Sequence, residues 1–182
     1  TVVHLSIIRA YGDPENEEVL EFDIKRGSIP LHSILEARIL DGGIGYARLE
    51  DFKRTTAEEL AERIDNMKEQ GITSLILDLR WNPGGLLPAS KEVCELFLPK
   101  GSLVTYTKGR NGPRTLFEEN LRLYTEKRPV VPEEFPMVVL VNQYTASSAE
   151  IVTAALQYYS RAIVVGQKTY GKGSVQTIDR KS

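Results

Sequence analysis

Serines, a lysine and glycines carry what chemistry this chain offers. Ser147 and Ser148 stand where the apolar run Val138 to Val141 passes through Asn142-Gln143-Tyr144-Thr145-Ala146 into a pattern with apolar residues at Ala149, Val152, Leu156 and Tyr159. That reads as a strand, a sharp turn and a helix, with hydroxyls at the helix start. After a second apolar run, Ala162 to Val165, Lys172 lies between Gly171 and Gly173. A hydroxyl at a helix N-terminus and a lysine in a glycine turn can supply a nucleophile and its base.

A serine hydroxyl is a poor nucleophile at neutral pH and needs a neighbouring base. Histidine is the usual choice, yet only His4 and His32 exist, both far from the serines in sequence. A Ser-His-Asp triad is therefore hard to assemble. Lysine can take the role where burial or local charge populates its neutral amine. Acyl transfer also needs donors for a developing oxyanion, and backbone amides serve well just after a nucleophile at a helix N-terminus or in glycine turns. The amide of Ser148 meets the first description, and Gly84 or Gly85 of Asn82-Pro83-Gly84-Gly85 the second. Two distant histidines and the single Cys94 offer no metal-ligand cluster. Cys94 lies in an apolar helical pattern, so a buried, inert thiol is expected.

The elements that must position these groups alternate between strand and helix. Val2 to Arg9 and Val19 to Lys25 read as strands around an acidic turn, Gly12 to Glu18, and Gly27 to Pro30 as a linker. Ile34 to Leu40, Asp41-Gly42-Gly43 and Ile44 to Leu49 read as a hairpin. Thr56-Ala57-Glu58-Glu59 matches a capping box, and Leu60, Ile64 and Met67 continue a helix until Gly71. Ser74 to Arg80 is apolar until its charged end, as a central parallel strand should be. A glycine turn and a helix through Val93 and Phe97 follow. Leu103 to Thr107 suits a strand, Lys108 to Arg114 an exposed turn, and Leu116 to Thr125 stays ambiguous before Pro129, Pro132 and Pro136. Strands and helices alternating in this way make the class α/β.

At 182 residues the chain suits one domain with a fragment of another. Its 23 basic and 25 acidic residues nearly balance, which points away from nucleic acid or a membrane surface as the main partner. No run of about 18 apolar residues occurs. Thr1 to Arg9 reads like the middle of a domain, so the sequence is expected to be an excised or processed fragment without its targeting signal.

Three segments together resemble the S41 family of C-terminal processing peptidases. The family pattern joins Leu-Asp-Leu-Arg-x-Asn-Pro-Gly-Gly to Asn-x-x-(Ser/Thr)-Ala-Ser and Gly-Lys-Gly-x-x-Gln. This chain has Leu77-Asp78-Leu79-Arg80-Trp81-Asn82-Pro83-Gly84-Gly85, Asn142-Gln143-Tyr144-Thr145-Ala146-Ser147 and Gly171-Lys172-Gly173-Ser174-Val175-Gln176, in that order. The resemblance implies Ser147 as nucleophile, Lys172 as base and Gln176 as the residue orienting the lysine. It implies an oxyanion hole from the Ser148 N–H and a glycine amide of Gly84-Gly85. Where many members read Ala-Ser-Ala-Ser-Glu, this chain reads Ala146-Ser147-Ser148-Ala149-Glu150, which leaves the backbone donor intact.

It further implies a crotonase-like or ClpP-like β/α spiral over residues 28–182, cut before its final strands. Residues 1–27 would be the end of a PDZ domain and a linker. Substrates would be proteins or peptides with exposed C-terminal tails, in a periplasmic or other extracytoplasmic compartment, with no cofactor and no metal. A homo-oligomer is compatible with all of this. Two other readings share the motifs: acyl-CoA chemistry at the same glycine turn, and a peptide-binding fragment whose serine-lysine dyad is disassembled.

Overall fold

The computed structural model describes residues 1–10, 17–27, 32–108 and 121–175. Most of the acidic turn after Gly12, the linker residues 28–30, the turn from Gly109 and Gln176 lie outside the described residues. The chain divides into two compact units, Thr1–Leu31 and His32–Ser182.

The first unit is a β-hairpin of β1 (Val2–Ala10) and β2 (Glu17–Lys25), paired antiparallel from Val2↔Lys25 to Ala10↔Glu17. Leu20, Phe22 and Ile24 alternate with charged residues as expected, but Phe22 and Ile24 are exposed, as are Leu5, Ile7 and Ile8 across the ribbon. Two strands alone have no second layer against which to bury an apolar row.

The second unit is built on a five-stranded sheet ordered β3-β4-β5-β8-β9. Its strands are β3 (Ile34–Leu40), β4 (Ile44–Leu49), β5 (Ser74–Asp78), β8 (Met137–Val141) and β9 (Ile163–Gly166). A turn at Asp41-Gly42-Gly43 folds β4 antiparallel on β3, and from β4 onward every pairing is parallel. Parallel strands need crossovers, and helices supply them. Helix α1 (Thr56–Glu69) precedes β5, α2 (Leu87–Glu95) follows it, and α3 (Ser148–Tyr158) joins β8 to β9.

Ala47 and Leu49 of β4, Leu75 and Leu77 of β5, and Val139 and Val141 of β8 share one sheet face and are buried with Leu60, Ile64, Val93, Val152 and Leu156 of the helices. Each Val, Leu or Ile side chain among them contributes about 1.5–3 kcal/mol by leaving water. The opposite face is more open: Ile76 and Val138 are half-buried, and Ile163 is exposed. Cys94 sits wholly inside the helical layer, where burial pushes its thiol pKa up and leaves it unreactive.

Two local expectations change, and an ambiguous stretch resolves. The capping box at Thr56 does not form, because Thr56 is already helical and buried. Its hydroxyl accepts the Lys53 amide (2.8 Å) and donates to Ser33 Oγ (2.6 Å), while Glu59 instead takes Thr55 Oγ1 (2.6 Å) and the Ser33 amide (2.8 Å). Helix α2 ends at Glu95, and Phe97 is buried in the turn that follows. The ambiguous stretch Leu116 to Thr125 includes β7 (Arg122–Tyr124), which pairs with β6 (Leu103–Tyr106), the strand expected at Leu103 to Thr107, in a separate two-stranded sheet.

Candidate active site

Strands β5 and β8 lie side by side and parallel, so the turns leaving their C-terminal ends are neighbours. Asp78, fully buried at the end of β5, fixes the first turn. Its carboxylate accepts from Tyr46 Oη (2.7 Å), from the Arg80 amide (2.9 Å) and from Arg80 Nη2 (2.6 Å). Burial disfavours the charged form, but the bonds from Arg80 and Tyr46 outweigh it and hold Asp78 below the usual carboxylate value.

The two turns are laced together by four bonds: Trp81 N to Asn142 Oδ1 (3.0 Å), Thr145 Oγ1 to Leu79 O (2.8 Å), Ala146 N to Asn82 O (2.9 Å) and Ser148 Oγ to Gly85 O (3.0 Å). Asn82 is fully buried, and its side chain also donates to Leu49 O (2.8 Å) and accepts the Gly84 amide (2.8 Å). Both glycines are required by contact. At Gly84 (φ +95°) a Cβ would stand 2.7 Å from Ala146 O and from Ser147 Cβ; at Gly85 (φ +153°) it would stand 2.2 Å from Phe52 O.

Ser147 is the N-cap of α3 and adopts φ +55°, ψ −120°, a conformation costly for any residue with a side chain. Strain of this kind, roughly 1–3 kcal/mol, persists where the surroundings dictate it and clusters at functional turns. Ser147 is half-buried and lines a cleft of about 530 Å³ with Gly85, Leu86, Tyr106, Ile151 and Lys172. Ser148 also reaches the cleft, but it is 1% exposed and its hydroxyl is committed to Gly85 O.

Of the three amides singled out for an oxyanion, Gly84 N–H is spent on Asn82 Oδ1. Those of Gly85 and Ser148 have no hydrogen-bond partner among the described residues. Lys172 is exposed along the same cleft. Gln176, the residue expected to orient it, lies outside the described residues.

A residue not singled out from sequence joins the two halves. One oxygen of Glu150, Oε2, accepts the amides of both Ser147 and Lys172 at 2.9 Å, so those nitrogens are at most twice that distance apart. Its other oxygen accepts the Gly171 amide (2.6 Å). Burial pushes the Glu150 pKa up, but bonds from the Thr169 side chain and from these amides prevail and lower it. The Ser-x-x-Glu spacing of a capping box was the available signal.

The pattern of peptidase family S41 matches residues 43–181. A carboxyl-terminal-processing protease of Synechocystis sp. (strain ATCC 27184 / PCC 6803 / Kazusa) is 40% identical over 182 residues, covering 98% of this chain and 39% of that protein. The carboxy-terminal processing protease CtpA of Bacillus subtilis (strain 168) is 38% identical over 158 residues, covering 87% and 32%. Among solved structures, a photosystem II D1 C-terminal processing protease superposes with a TM-score of 0.63 at 27% identity, over 96% of this chain and 46% of that one. The chain thus spans about a third to two fifths of the length of these curated relatives.

Proposed function

The chain belongs to peptidase family S41, and from that premise we propose that it carries the Ser147–Lys172 dyad of a serine endopeptidase acting near the C-terminal tails of proteins. The observation that supports this most is the shared oxygen of Glu150, which ties the backbones of Ser147 and Lys172 together at the edge of one cleft. In the proposed reaction the neutral Lys172 amine takes the proton from Ser147 Oγ as Oγ attacks the scissile carbonyl. The oxyanion is held by the amides of Gly85 and Ser148, the two without partners among the described residues. Collapse expels the amine, which receives the proton from Lys172, and a water activated by the same lysine hydrolyses the ester. A substrate lying along the cleft covers the exposed lysine and supplies the shelter from water that such a base needs.

The same reading takes residues 28–182 as a β/α spiral core, the N-terminal ribbon as the end of a PDZ domain, Gln176 as a support for the lysine, and the compartment as extracytoplasmic. Among the described residues no helix is long and apolar enough to cross a membrane. Turnover of an apolar-tailed peptide by the full-length protein tests the dyad. Ser147→Ala and Lys172→Ala each abolish it, and near-normal rates in either variant refute the assignment.

A further inference from the structure

Trp81 and Tyr144 stand at unspecified positions of the first two motifs, one in each of the laced turns. Their rings stack at 4.1 Å between centroids and 14° between planes, with Trp81 57% and Tyr144 48% exposed. The pair is deliberately held, since the amides of both residues donate to the same atom, Asn142 Oδ1, at 3.0 and 3.1 Å.

Trp81 also sits at φ +69°, a left-handed conformation that a bulky aromatic side chain tolerates poorly and that glycine or asparagine would adopt more cheaply. The ring gains no burial in the core in return. Backbone strain on an exposed aromatic points to contact with something outside the chain.

We propose that the Trp81–Tyr144 stack is a specificity subsite for an apolar side chain of the polypeptide substrate, which rests on the peptidase reading above. Continuity with the site identifies the occupant. Tyr144 belongs to the turn that carries Ser147, and the exposed Tyr170 of the lysine segment is bonded through its amide to Thr145 O (3.0 Å). Neither stacked aromatic lines the cleft, whereas Gly85 and Ser147, further along the same turns, do. An extended substrate advances about 3.3–3.6 Å per residue, so residues beyond those in the cleft reach the outer flank of the turns. The neighbouring Arg80 guanidinium is paired with Asp78, leaving a flat aromatic surface that favours an apolar or aromatic side chain over a charged one.

Trp81 is the only tryptophan in the sequence, so its emission reports occupancy directly. In the Ser147→Ala protein, unstructured peptides carrying Phe or Gly at each position in turn are titrated, and the wild type is assayed with the same set. One position is expected where Phe, but not Gly, quenches Trp81 saturably, and where Phe improves kcat/KM about tenfold. Tyr144→Ala and Trp81→Asn reduce that preference to near unity, while Tyr144→Phe keeps it. Cleavage of the peptides with silent Trp81 emission, or with the preference unchanged in Tyr144→Ala, overturns the subsite and leaves the peptidase standing. Emission that responds to protein concentration alone assigns the stack to a second copy and overturns it too. If neither cleavage nor quenching occurs, both readings fall.

Discussion

Replacing Glu150 by glutamine tests whether one carboxylate really couples the serine turn to the lysine segment. Oε2 serves the amides of Ser147 and Lys172, and Oε1 serves Gly171. Glutamine keeps a single acceptor oxygen, so at least one of these amides must face an NH2 group instead. Hydrogen bonds to a charged partner contribute about 1.5–3 kcal/mol each and neutral ones about 1. For a half-buried group the lower figures apply, giving a loss of about 2–3 kcal/mol at pH 7.

The pH dependence follows from the lowered pKa of Glu150. A depressed carboxylate contributes stability that is present above its ordinary value of 4.5 and is lost as the pH falls through the folded value. Urea denaturation should therefore separate wild type from Glu150→Gln at pH 7 and bring them together only as the pH drops below 4.5 and on through the lowered folded value. If Lys172 is the base proposed above, its release from this anchor is expected to lower kcat by roughly a hundredfold, the cost of an ångström-scale misplacement of a catalytic group. Equal midpoints at pH 7 combined with turnover within twofold of wild type would refute the coupling.

Gly84→Ala drives a methyl into Ala146 O and Ser147 Cβ at a left-handed φ. It is expected to cost about 3 kcal/mol or more in urea denaturation and to abolish activity. Arg161 is buried, and its guanidinium donates to the carbonyls of Phe97 (3.1 Å), Phe135 (2.8 Å) and Pro132 (2.9 Å). Arg161→Met leaves the carbonyls of Phe97 and Phe135 without donors, while Pro132 O keeps the Phe135 amide, and lowers stability by about 2–3 kcal/mol, with Lys recovering little because one ammonium cannot reach three carbonyls.

Much of the protease-like unit is legible because its signals are local. Asp41-Gly42-Gly43 writes the hairpin β3–β4 in adjacent residues, and the apolar run Leu75 to Leu77 identifies a strand covered by neighbours. The three motif segments, among the described residues, likewise fall at the turns and the cleft. What escapes is non-local. β6 registers as the strand read at Leu103 to Thr107, but β7 is three residues long and its pairing with β6 joins residues well apart in sequence, so neither shows in any local period. Ser33, remote from α1, draws Thr56 and Glu59 away from a capping box that their spacing alone would form. That the Gly84 amide is spent while Gly85's is not depends on which way the Asn82 side chain turns, and Glu150 acquires its bridging bonds only when the lysine segment returns to α3.

Because the serine turn and the glycine turn are sewn to each other through buried Asn82, Asn142 and Thr145, they form a single rigid jaw. The segment bearing Lys172 is fastened to that jaw by a carboxylate and by the Tyr170 amide, among the described residues. Under the proposed dyad, switching the site off calls for unhooking a strap, with the serine alcohol and the amides of Gly85 and Ser148 left undisturbed and ready for its return.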